Sequence, residues 1–468
     1  MAPAEPLAPR PMTLSHTESR VDQRMGPCWV ATTPKGSRLD AGSNGSEGVW
    51  ESGPSGELRA HCIRVMDSAR DVICLSSFLL ADEEIRAGIA SAFARGVRVY
   101  LLTATEQRLL STISQDDEFS ERARDQHMQM LDELALRTLL RSGEDLHAKY
   151  LIVDPRGGSP KGVVLTCNLT SEGFTRNPEL AVDVSGEEAS DLFRLFLWGF
   201  WKQSKRELLD RQKITGNAAY VPHGVSPPQL LPCTVEGSTK LRDEMLRLIH
   251  GSEKELWVSA YKFTRAHPTT ASLEEAARRG VRVRLLASLR PARGHMDALV
   301  SLARAGVEVR GLRYLHGKVI LSDIPHGPQA LVMSANFDPE GLDQGYEAGV
   351  SLSGKRLDAL RRTVTEWWGR ATHALLVDKN LGELPDGEAR FYREGTDFED
   401  ATVATRFERD LGSITAPDLD KMATVRPARF PLPERSGTRT YYKELQYTWT
   451  VLPPQKAKPA GKPTDAPS

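Results

Sequence analysis

A histidine and a lysine separated by one residue occur twice in this sequence, each time at the same distance before an aspartate. The two copies read LHAKYLIVD and LHGKVILSD, and their matching residues are His147, Lys149 and Asp154 in the first and His316, Lys318 and Asp323 in the second. Residues two apart on a strand point to the same face, so each histidine is predicted to lie beside its lysine. An imidazole next to an ammonium group is suited to neutralising and attacking a phosphodiester.

Each copy is followed by a hydroxyl, an amide and a carboxylate. The segments TCNLTSEGFTRNPE and SANFDPEGLDQGYE supply Thr166, Asn168 and Glu179 after the first copy and Ser334, Asn336 and Glu347 after the second. The hydroxyls and amides are predicted to bind the non-bridging phosphate oxygens together with the lysines. The carboxylates are predicted to support the histidines, because an imidazole needs a partner on its second nitrogen to fix its tautomer.

Two histidines predict a displacement in two steps. One attacks phosphorus to give a covalent phosphohistidine, and the other protonates the leaving oxygen and later activates the incoming nucleophile. Asp154 and Asp323 fit two roles equally, that of a supporting carboxylate and that of a structural anchor. The histidines lack the i, i+4 spacing of helical metal ligands and no cysteine cluster accompanies them, so neither a metal nor a cofactor is expected.

These residues occupy corresponding places in a repeated framework. Each copy has an amphipathic helix, an apolar strand, a second helix and a further strand, with Gly96 or Gly280 as the predicted C′ glycine of the second helix. Each copy ends in a helix with tryptophans, residues 184–201 and 352–368, whose apolar face is predicted to be core rather than membrane-inserting. Strands that alternate with helices in both copies predict an α/β sandwich.

The paired motifs resemble the signature of the phospholipase D superfamily, two HxKxxxxD motifs that are each followed by a G-S-x-N element. The resemblance covers residues 55–375 and implies a duplicated α/β fold whose pseudo-twofold-related halves share one active site. It implies a phosphodiesterase in which His147 and His316 are the nucleophile and the acid/base, with the N-terminal histidine as the usual nucleophile. Leu165 and Met333 replace the family's glycines, which is expected to narrow the backbone's approach to the phosphate.

Proline- and glycine-rich stretches divide the chain. The predicted parts are a flexible leader (1–54), a first half (55–215), a linker (216–235), a second half (236–378), a C-terminal extension without an assigned role (379–450) and a disordered tail (451–468). The first half carries a charged insertion around residues 106–124, which either controls access to the site or is a surface excursion.

The composition is that of a globular protein. The chain has 468 residues, of which 40% are apolar and 26% are charged. Its 61 Lys and Arg residues balance 62 Asp and Glu residues, so the net charge does not indicate a polyanionic partner. Five scattered cysteines without a CxxC pair, no apolar membrane span and no signal-like start together predict a cytoplasmic protein.

The substrate class is left open between three alternatives. Nucleic acid is the leading expectation, because arginines cluster near the second motif, namely Arg290, Arg293, Arg310 and Arg313. Phospholipid hydrolysis or phosphatidyl transfer is the alternative, and a non-catalytic phosphate-binding subunit of a nucleic-acid machine is the third. One chain supplies both half-sites, so catalysis does not require a homodimer.

Overall fold

The computed structural model of the chain describes most of residues 22–393 together with shorter stretches near both termini. The described ranges are 13–19, 22–32, 45–113, 121–210, 213–216, 221–289, 295–327, 329–393, 398–404, 413–414, 439–442 and 444–451. The chain divides into two compact units. Residues 31–376 form one of them, and residues 1–30 and 377–468 form the other.

The N-terminal segment contributes two strands, β1 (Thr13–Ser19) and β2 (Cys28–Ala31). The first half then follows in chain order as β3 (Val49–Glu51), α1 (Glu57–Asp67), β4 (Val72–Ser76), β5 (Leu80–Ala81), α2 (Glu83–Ala94), β6 (Arg98–Ala104), α3 (Glu106–Ile113), α4 (Glu121–Leu134), β7 (Leu139–Gly143), β8 (Tyr150–Val153), β9 (Lys161–Leu165), β10 (Leu169–Thr170), α5 (Ser171–Thr175), β11 (Leu180–Ser185), α6 (Gly186–Trp198), β12 (Arg206–Asp210) and β13 (Lys213–Gly216). Its main sheet has the strand order β13-β12-β7-β6-β4-β8-β9-β11-β3.

The second half repeats this plan with shorter connections. It consists of β14 (Cys233–Thr234), α7 (Lys240–Gly251), β15 (Glu255–Ser259), α8 (Pro268–Arg278), β16 (Arg282–Ser288), α9 (His295–Arg304), β17 (Glu308–Leu312), β18 (Val319–Ser322), β19 (Ala330–Met333), β20 (Glu347–Leu352), α10 (Gly354–Arg370) and β21 (His373–Leu376). The strand order β20-β19-β18-β15-β16-β17 matches β11-β9-β8-β4-β6-β7 of the first half. This agreement confirms the predicted duplicated α/β fold.

The same local signals end the second helix of each half. Gly96 follows α2 with φ of 84° and Gly280 follows α8 with φ of 93°. A left-handed residue at this place favours glycine because it has no Cβ. The chain then reverses into parallel strands, β6 beside β4 and β16 beside β15.

Both halves contribute to one hydrophobic core. Tyr150, Val182, Trp257, Tyr346 and Trp367 are buried members of a single cluster of contacting side chains. The tryptophan-bearing helices α6 and α10 lie on this core, as their apolar faces predicted. Because the halves share a core, the segments that carry the two motifs are held rigidly against each other.

The domain boundaries differ from those expected. Strand β3, within the predicted leader, pairs with β11, and β14, within the predicted linker, pairs with β20. These short strands complete the sheet edges, and strands of two or three residues are too short to show a hydrophobic period. The first half therefore begins before residue 55, and the second half begins within the predicted linker.

The terminal unit combines segments that the sequence suggested were separate. Its C-terminal strands are β22 (Gly387–Tyr392), β23 (Phe398–Ala404), β24 (Ser413–Ile414), β25 (Arg439–Tyr442) and β26 (Glu444–Val451). Strand β26 pairs with β1, and β22 pairs with β2. The predicted leader thus contains strands that pair with the predicted C-terminal extension. Residues 452–468 of the predicted tail lie outside the described ranges.

None of the helices in the described ranges is long and apolar enough to cross a membrane. The five cysteines are all free and buried.

Candidate active site

The two histidine motifs precede equivalent strands, β8 and β18, and each is attached to the opposite half. The backbone N–H of His147 donates to the carbonyl of Tyr346 at 3.2 Å, and that of His316 donates to the carbonyl of Pro178 at 3.2 Å. Tyr346 and Pro178 immediately precede the two glutamates. These exchanged backbone hydrogen bonds bring both half-sites into one centre.

Each glutamate binds the histidine of the other half. The Nδ1 atom of His147 lies 2.6 Å from Oε1 of Glu347, and Nδ1 of His316 lies 2.6 Å from Oε1 of Glu179. Both carboxylates are buried, whereas the histidine side chains keep 31% and 17% of their surface exposed. A glutamate on Nδ1 fixes the tautomer of each ring and leaves the lone pair on Nε2, which the lysine Nζ approaches at 3.0 Å in His147 and 3.2 Å in His316. The sequence indicated these glutamates as partners but not that they cross between halves.

The two hydroxyls hold the glutamates. Thr166 Oγ1 donates to Glu179 Oε2 at 2.6 Å, and Ser334 Oγ donates to Glu347 Oε2. A hydroxyl has one proton to donate, and in each case the carboxylate accepts it. The two hydroxyls therefore hold the glutamates in place, and their expected role in binding phosphate stays a prediction.

Both lysines of the motifs are fully buried beside their histidines. Lys149 Nζ lies 2.9 Å from His147 Nδ1 and donates to the His147 carbonyl at 2.6 Å. Lys318 makes the same pair of contacts with His316, at 2.9 and 2.6 Å. Burial lowers the pKa of Lys149 to about 7, against the opposing effect of Glu347. Burial also lowers the pKa of Lys318. These ammonium groups lack solvent and are suited to binding an anion.

The histidines are held in the neutral form. Burial lowers the pKa of His147 to about 4, with a further contribution from the charge of Lys149, while Glu347 opposes the shift. Burial likewise lowers the pKa of His316 against the effect of Glu179. A neutral imidazole has the free lone pair that a nucleophile or a general base requires.

The glutamates remain ionised although they are buried. Burial raises the pKa of Glu179, but His316, Lys318 and the hydrogen bond from Thr166 outweigh this effect and the net shift is downward. The pKa of Glu347 is lowered in the same way against burial, by the charges of His147 and Lys149. The centre therefore combines buried carboxylates with buried lysines. Since the glutamates stay ionised, the histidines are the groups that can take up and release protons during a reaction.

The two asparagines have unused polar atoms. Oδ1 of Asn168 and Oδ1 of Asn336 are buried and have no hydrogen-bond partner among the described residues. Buried polar atoms of folded proteins are nearly always paired, so an unpaired atom in a polar centre marks room for a ligand group. Rotation of either amide about χ2 would present its NH₂ group to a phosphate oxygen.

Asp154 and Asp323 lie away from the histidine contacts, at the far ends of β8 and β18. Asp154 accepts backbone N–H groups from residues 70, 71 and 72 at 2.8 to 2.9 Å. Asp323 accepts those of residues 253, 254 and 255. Each carboxylate thus fixes the turn that enters β4 or β15. Of the two roles that the sequence left open, these contacts fit the structural anchor.

Leu165 and Met333 are the last residues of β9 and β19. Both side chains are fully buried, and Leu165 packs in the core cluster that contains Leu151 and Phe174. The strands end with these side chains directed into the interior, so the positions do not need glycine. The expectation that they narrow the backbone's approach to the phosphate stays a prediction.

An aromatic ring packs against each histidine. Neither ring belongs to the motifs that the sequence indicated. The ring centroid of Phe78 lies 4.9 Å from that of His147, and the centroid of Tyr261 lies 5.1 Å from that of His316. Phe78 and Tyr261 follow the equivalent strands β4 and β15 at the same offset. Alignment of the two repeats, rather than any motif, was the signal that could have found them.

The insertion of the first half reaches the second half. Arg108 on α3 forms an ion pair with Glu340 at 3.3 Å, and Glu340 also pairs with Lys262 at 3.3 Å. Lys262 also forms an ion pair with Asp338 at 3.4 Å, and Asp338 lies two residues after Asn336. The contact favours a role in access to the site over a remote surface excursion. Residues 114–120 of the insertion lie outside the described ranges.

Of the four arginines that favoured nucleic acid, two lie in the described ranges, and only Arg313 of these two is exposed. Arg290 and Arg293 lie outside the described ranges. Arg310 lies over the ring of Trp368 at 4.4 Å and donates to the Trp368 carbonyl at 3.1 Å, which is a packing role. Arg313 is exposed and contacts Tyr314. Within the described part of the chain, no cluster of His, Cys, Asp and Glu has the geometry of a metal site.

The two motif regions match a known protein family. Residues 62–201 and 245–368 both match the family described as cardiolipin synthase, PLD-like domain. Together these segments cover more than half of the 468 residues, and each contains one His–Lys motif.

Curated relatives match at low identity. Cardiolipin synthases from Geobacillus kaustophilus (strain HTA426) and Geobacillus thermodenitrificans (strain NG80-2) are each 23% identical to the chain over 254 residues. The match covers 50% of this chain and 47% of each relative. The chain therefore spans about half the length of the curated relatives it matches. Among solved structures, phosphatidylserine synthase from Haemophilus influenzae Rd KW20 has a TM-score of 0.47 and 12% identity, covering 78% of this chain and 93% of that chain.

Proposed function

Because the chain belongs to the phospholipase D superfamily, we propose that it cleaves the phosphodiester of a phospholipid and transfers the phosphatidyl group to water or to an alcohol. The observation that carries the proposal is the pair of crossed hydrogen bonds, His147 to Glu347 and His316 to Glu179. They orient two histidines toward one centre, where one can act as a neutral nucleophile and the other as the acid and base of a two-step displacement at phosphorus. The metal-independent mechanism is part of the proposal.

In the first step, Nε2 of His147 attacks phosphorus and the bond to the leaving oxygen breaks. His316 takes part in this step as the imidazolium, whose Nε2 proton passes to the leaving oxygen, so that the ring becomes neutral. The product is a phosphatidyl group bound to His147. In the second step, neutral His316 removes the proton of water or of an alcohol, whose oxygen attacks phosphorus and releases His147.

The remaining polar groups stabilise the negative charge of the transferring phosphate. Lys149 and Lys318 lie beside the two rings, and the amides of Asn168 and Asn336 supply further donors. Because the lysines are held in place before the substrate binds and the amides need only rotate about χ2, little further reorganisation is needed as charge develops on the non-bridging oxygens.

Phospholipid replaces nucleic acid as the leading substrate class. The matched family and both curated relatives carry the name cardiolipin synthase, which supports the lipid alternative. Of the arginines that favoured nucleic acid, Arg310 is occupied in packing against Trp368. The presence of both histidines, both lysines and both asparagines favours an enzyme over a non-catalytic subunit.

The test compares substrates under one set of conditions. Purified protein is incubated in excess EDTA with labelled phosphatidylglycerol vesicles and glycerol, and in parallel with labelled single- and double-stranded DNA and RNA. We expect lipid turnover that the His316→Ala variant lacks. Cleavage of nucleic acid without lipid turnover would replace the lipid proposal with a nuclease, and no turnover of any substrate would favour a binding subunit.

A further inference from the structure

The first half contains a cavity of about 1020 Å³ beside helix α6, which is called the α6 cavity below. Side chains of α6 form one wall, and the sheet strands β4 and β6 form another. The loop that joins β8 to β9 and residues 222–225 of the linker complete the lining. Cavities that hold small molecules in proteins measure about 300–1,000 Å³, so the α6 cavity has room for a ligand.

The α6 cavity lies at the end of β4 and β8 that is remote from the histidine motif. Val72, the first residue of β4, lines the cavity together with Asp154. Ser76, the last residue of β4, donates to the carbonyl of Ala148, next to His147, at 2.8 Å. The two ends of this strand are about 13 Å apart. Of the motif residues, only the anchor Asp154 lines the cavity.

Comparison of the two halves shows why this space is open. Ser76 and Ser259 are equivalent, because each donates to the carbonyl of the residue that follows its motif histidine. Two positions before these serines, the first half has Cys74 and the second half has Trp257. Cys74 lines the cavity. A thiol thus stands where the second half has an indole, and the difference in volume leaves space beside α6.

The equivalent region of the second half is filled. Trp257 packs edge to face against Trp368 with ring centroids 5.5 Å apart, and the guanidinium carbon of Arg284 lies 4.5 Å from the Trp257 ring. Arg284 also forms an ion pair with Glu255. The equivalent residues of the first half are Cys74, Phe200, Tyr100 and Val72. The first half therefore has neither the large indole nor the ion pair at this place.

Aromatic rings form a continuous apolar wall of the α6 cavity. Phe193 stacks on Phe196 with centroids 6.4 Å apart, and Phe196 stacks on Phe200 at 5.5 Å. Tyr100 meets Phe200 edge on at 5.9 Å. Phe193, Tyr100 and the neighbouring Leu197 are only half-buried, so the wall has surface that a ligand can cover. Such a wall suits a hydrocarbon chain, which gains from leaving water and needs no hydrogen-bond partner.

The rim of the α6 cavity carries more positive than negative charge. Its lining contains four Lys and Arg side chains and two carboxylates, Asp71 and Asp154. Asp71 pairs with Arg98 at 2.6 Å. Asp154 accepts three backbone N–H groups, and the charge of Arg70 contributes to lowering its pKa. Two of the four positive charges are thereby compensated.

The other two positive charges belong to Arg156 and Lys161. Both side chains are exposed, and neither forms an ion pair with a carboxylate in the described part of the chain. The guanidinium carbon of Arg156 lies 5.8 Å from the centroid of the Phe193 ring. Uncompensated positive charge therefore adjoins the apolar wall, which is the arrangement that binds an anionic group at the end of an apolar chain.

We propose that the α6 cavity is a second binding site, separate from the catalytic centre, for an anionic amphiphile. A single hydrocarbon chain lies against the aromatic wall, and the carboxylate or phosphate at its end binds Arg156 and Lys161. Neither motif histidine lines the cavity, so the occupant is bound and not cleaved. The inference does not depend on the proposed function, because binding is measured without turnover.

The test measures the binding of cis-parinaric acid, a fluorescent fatty acid, to the full chain at concentrations below those at which the acid forms micelles. Leu197→Trp places an indole in the cavity, and Arg156→Gln removes one charge from its rim. We expect saturable binding to one site, with a dissociation constant that rises by about 10-fold or more in each variant.

The controls make the same kinds of change in the second half. Thr365→Trp adds an indole at the position of α10 that is equivalent to Leu197. Arg278→Gln alters an exposed arginine on α8. Both control variants should bind the probe as the unmodified protein does.

Competition with unlabelled lipids of equal chain length identifies the head group. Oleate carries a carboxylate, oleoyl lysophosphatidic acid carries a phosphate, and mono-olein has no charge. We expect both anions to displace the probe at lower concentrations than mono-olein, and the more potent anion identifies the preferred head group. Equal displacement by mono-olein, with unchanged affinity in Arg156→Gln, would overturn the anionic head group.

Unchanged affinity in both Leu197→Trp and Arg156→Gln would overturn the site itself, because the probe would then bind elsewhere on the protein. Thermal unfolding of each variant verifies that a loss of binding does not come from a misfolded protein. If Leu197→Trp fails to fold, Arg156→Gln decides, since this side chain is exposed and its replacement leaves the packing intact.

Discussion

The Nδ1 atom of His147 lies 2.6 Å from the Oε1 atom of Glu347, although 200 positions separate the two residues in the chain. The bond from His316 to Glu179 is its counterpart in the opposite direction. Each half therefore supplies the carboxylate that the other half's histidine needs. Neither half could form a complete site by itself.

The crossed pairs predict which limb of the pH profile each glutamate controls. With His147 as nucleophile and His316 as acid, kcat/KM should rise as His147 loses its proton near pH 4 and fall as His316 loses its proton below pH 6.5. Both carboxylates raise the pKa of their histidine, so Glu347→Gln should move the rising limb to lower pH and Glu179→Gln should move the falling limb to lower pH. The profiles are measured on a small chromogenic phosphodiester. Exchange of the two effects would reverse the assignment of nucleophile and acid.

The His316→Ala variant should accumulate the covalent intermediate, because attack by His147 does not need His316 when the leaving group is good. We expect turnover to fall by about 10²- to 10⁴-fold, the usual contribution of a general acid and base. Intact-protein mass spectrometry after a short incubation with a phosphodiester that has a nitrophenyl leaving group should show an adduct on His147. The His147→Ala variant is the control without an adduct, and an adduct there but not in His316→Ala would make His316 the nucleophile.

Lys149→Met should stabilise the protein while abolishing activity. The pKa of Lys149 is lowered from 10.5 to about 7, so its charged form is disfavoured in the folded state. The resulting destabilisation is complete below pH 7 and is relieved as the pH rises toward 10.5. Differential scanning calorimetry should show a higher Tm for the variant, with the largest gain at or below neutral pH. A lower Tm across this range would show that the lysine's contacts outweigh its desolvation.

Asp154→Ala should affect stability more than chemistry. Its carboxylate accepts three backbone N–H groups at the entrance to β4, and their loss should lower the free energy of unfolding by about 1–3 kcal/mol. Urea unfolding measures this change, and kcat at a temperature where the variant remains folded should stay near that of the unmodified protein. Asp323→Ala is the matched variant of the second half. A large loss of kcat in fully folded Asp154→Ala would assign the aspartate a role in the chemistry.

Much of the fold could be predicted from the sequence because the sequence contains two copies of the same pattern. The matching motifs, the C′ glycines Gly96 and Gly280 and the near-identical strands that follow them are local signals, and each is set by residues close in the chain. Short edge strands such as β3 and β14 were missed because a strand of two or three residues shows no period. The pairing of the N-terminal and C-terminal strands was missed because it joins the two ends of the chain.

The residue types that can do phosphodiester chemistry were determined by the sequence alone, because histidine, lysine and asparagine have fixed donors, acceptors and charges. The sequence also indicated that each histidine needs a carboxylate. Only the tertiary structure decided which carboxylate serves which histidine and that Thr166 and Ser334 donate to those carboxylates. These relationships depend on the packing of one half against the other, and contacts between distant residues are selected by the shared core rather than by local pattern.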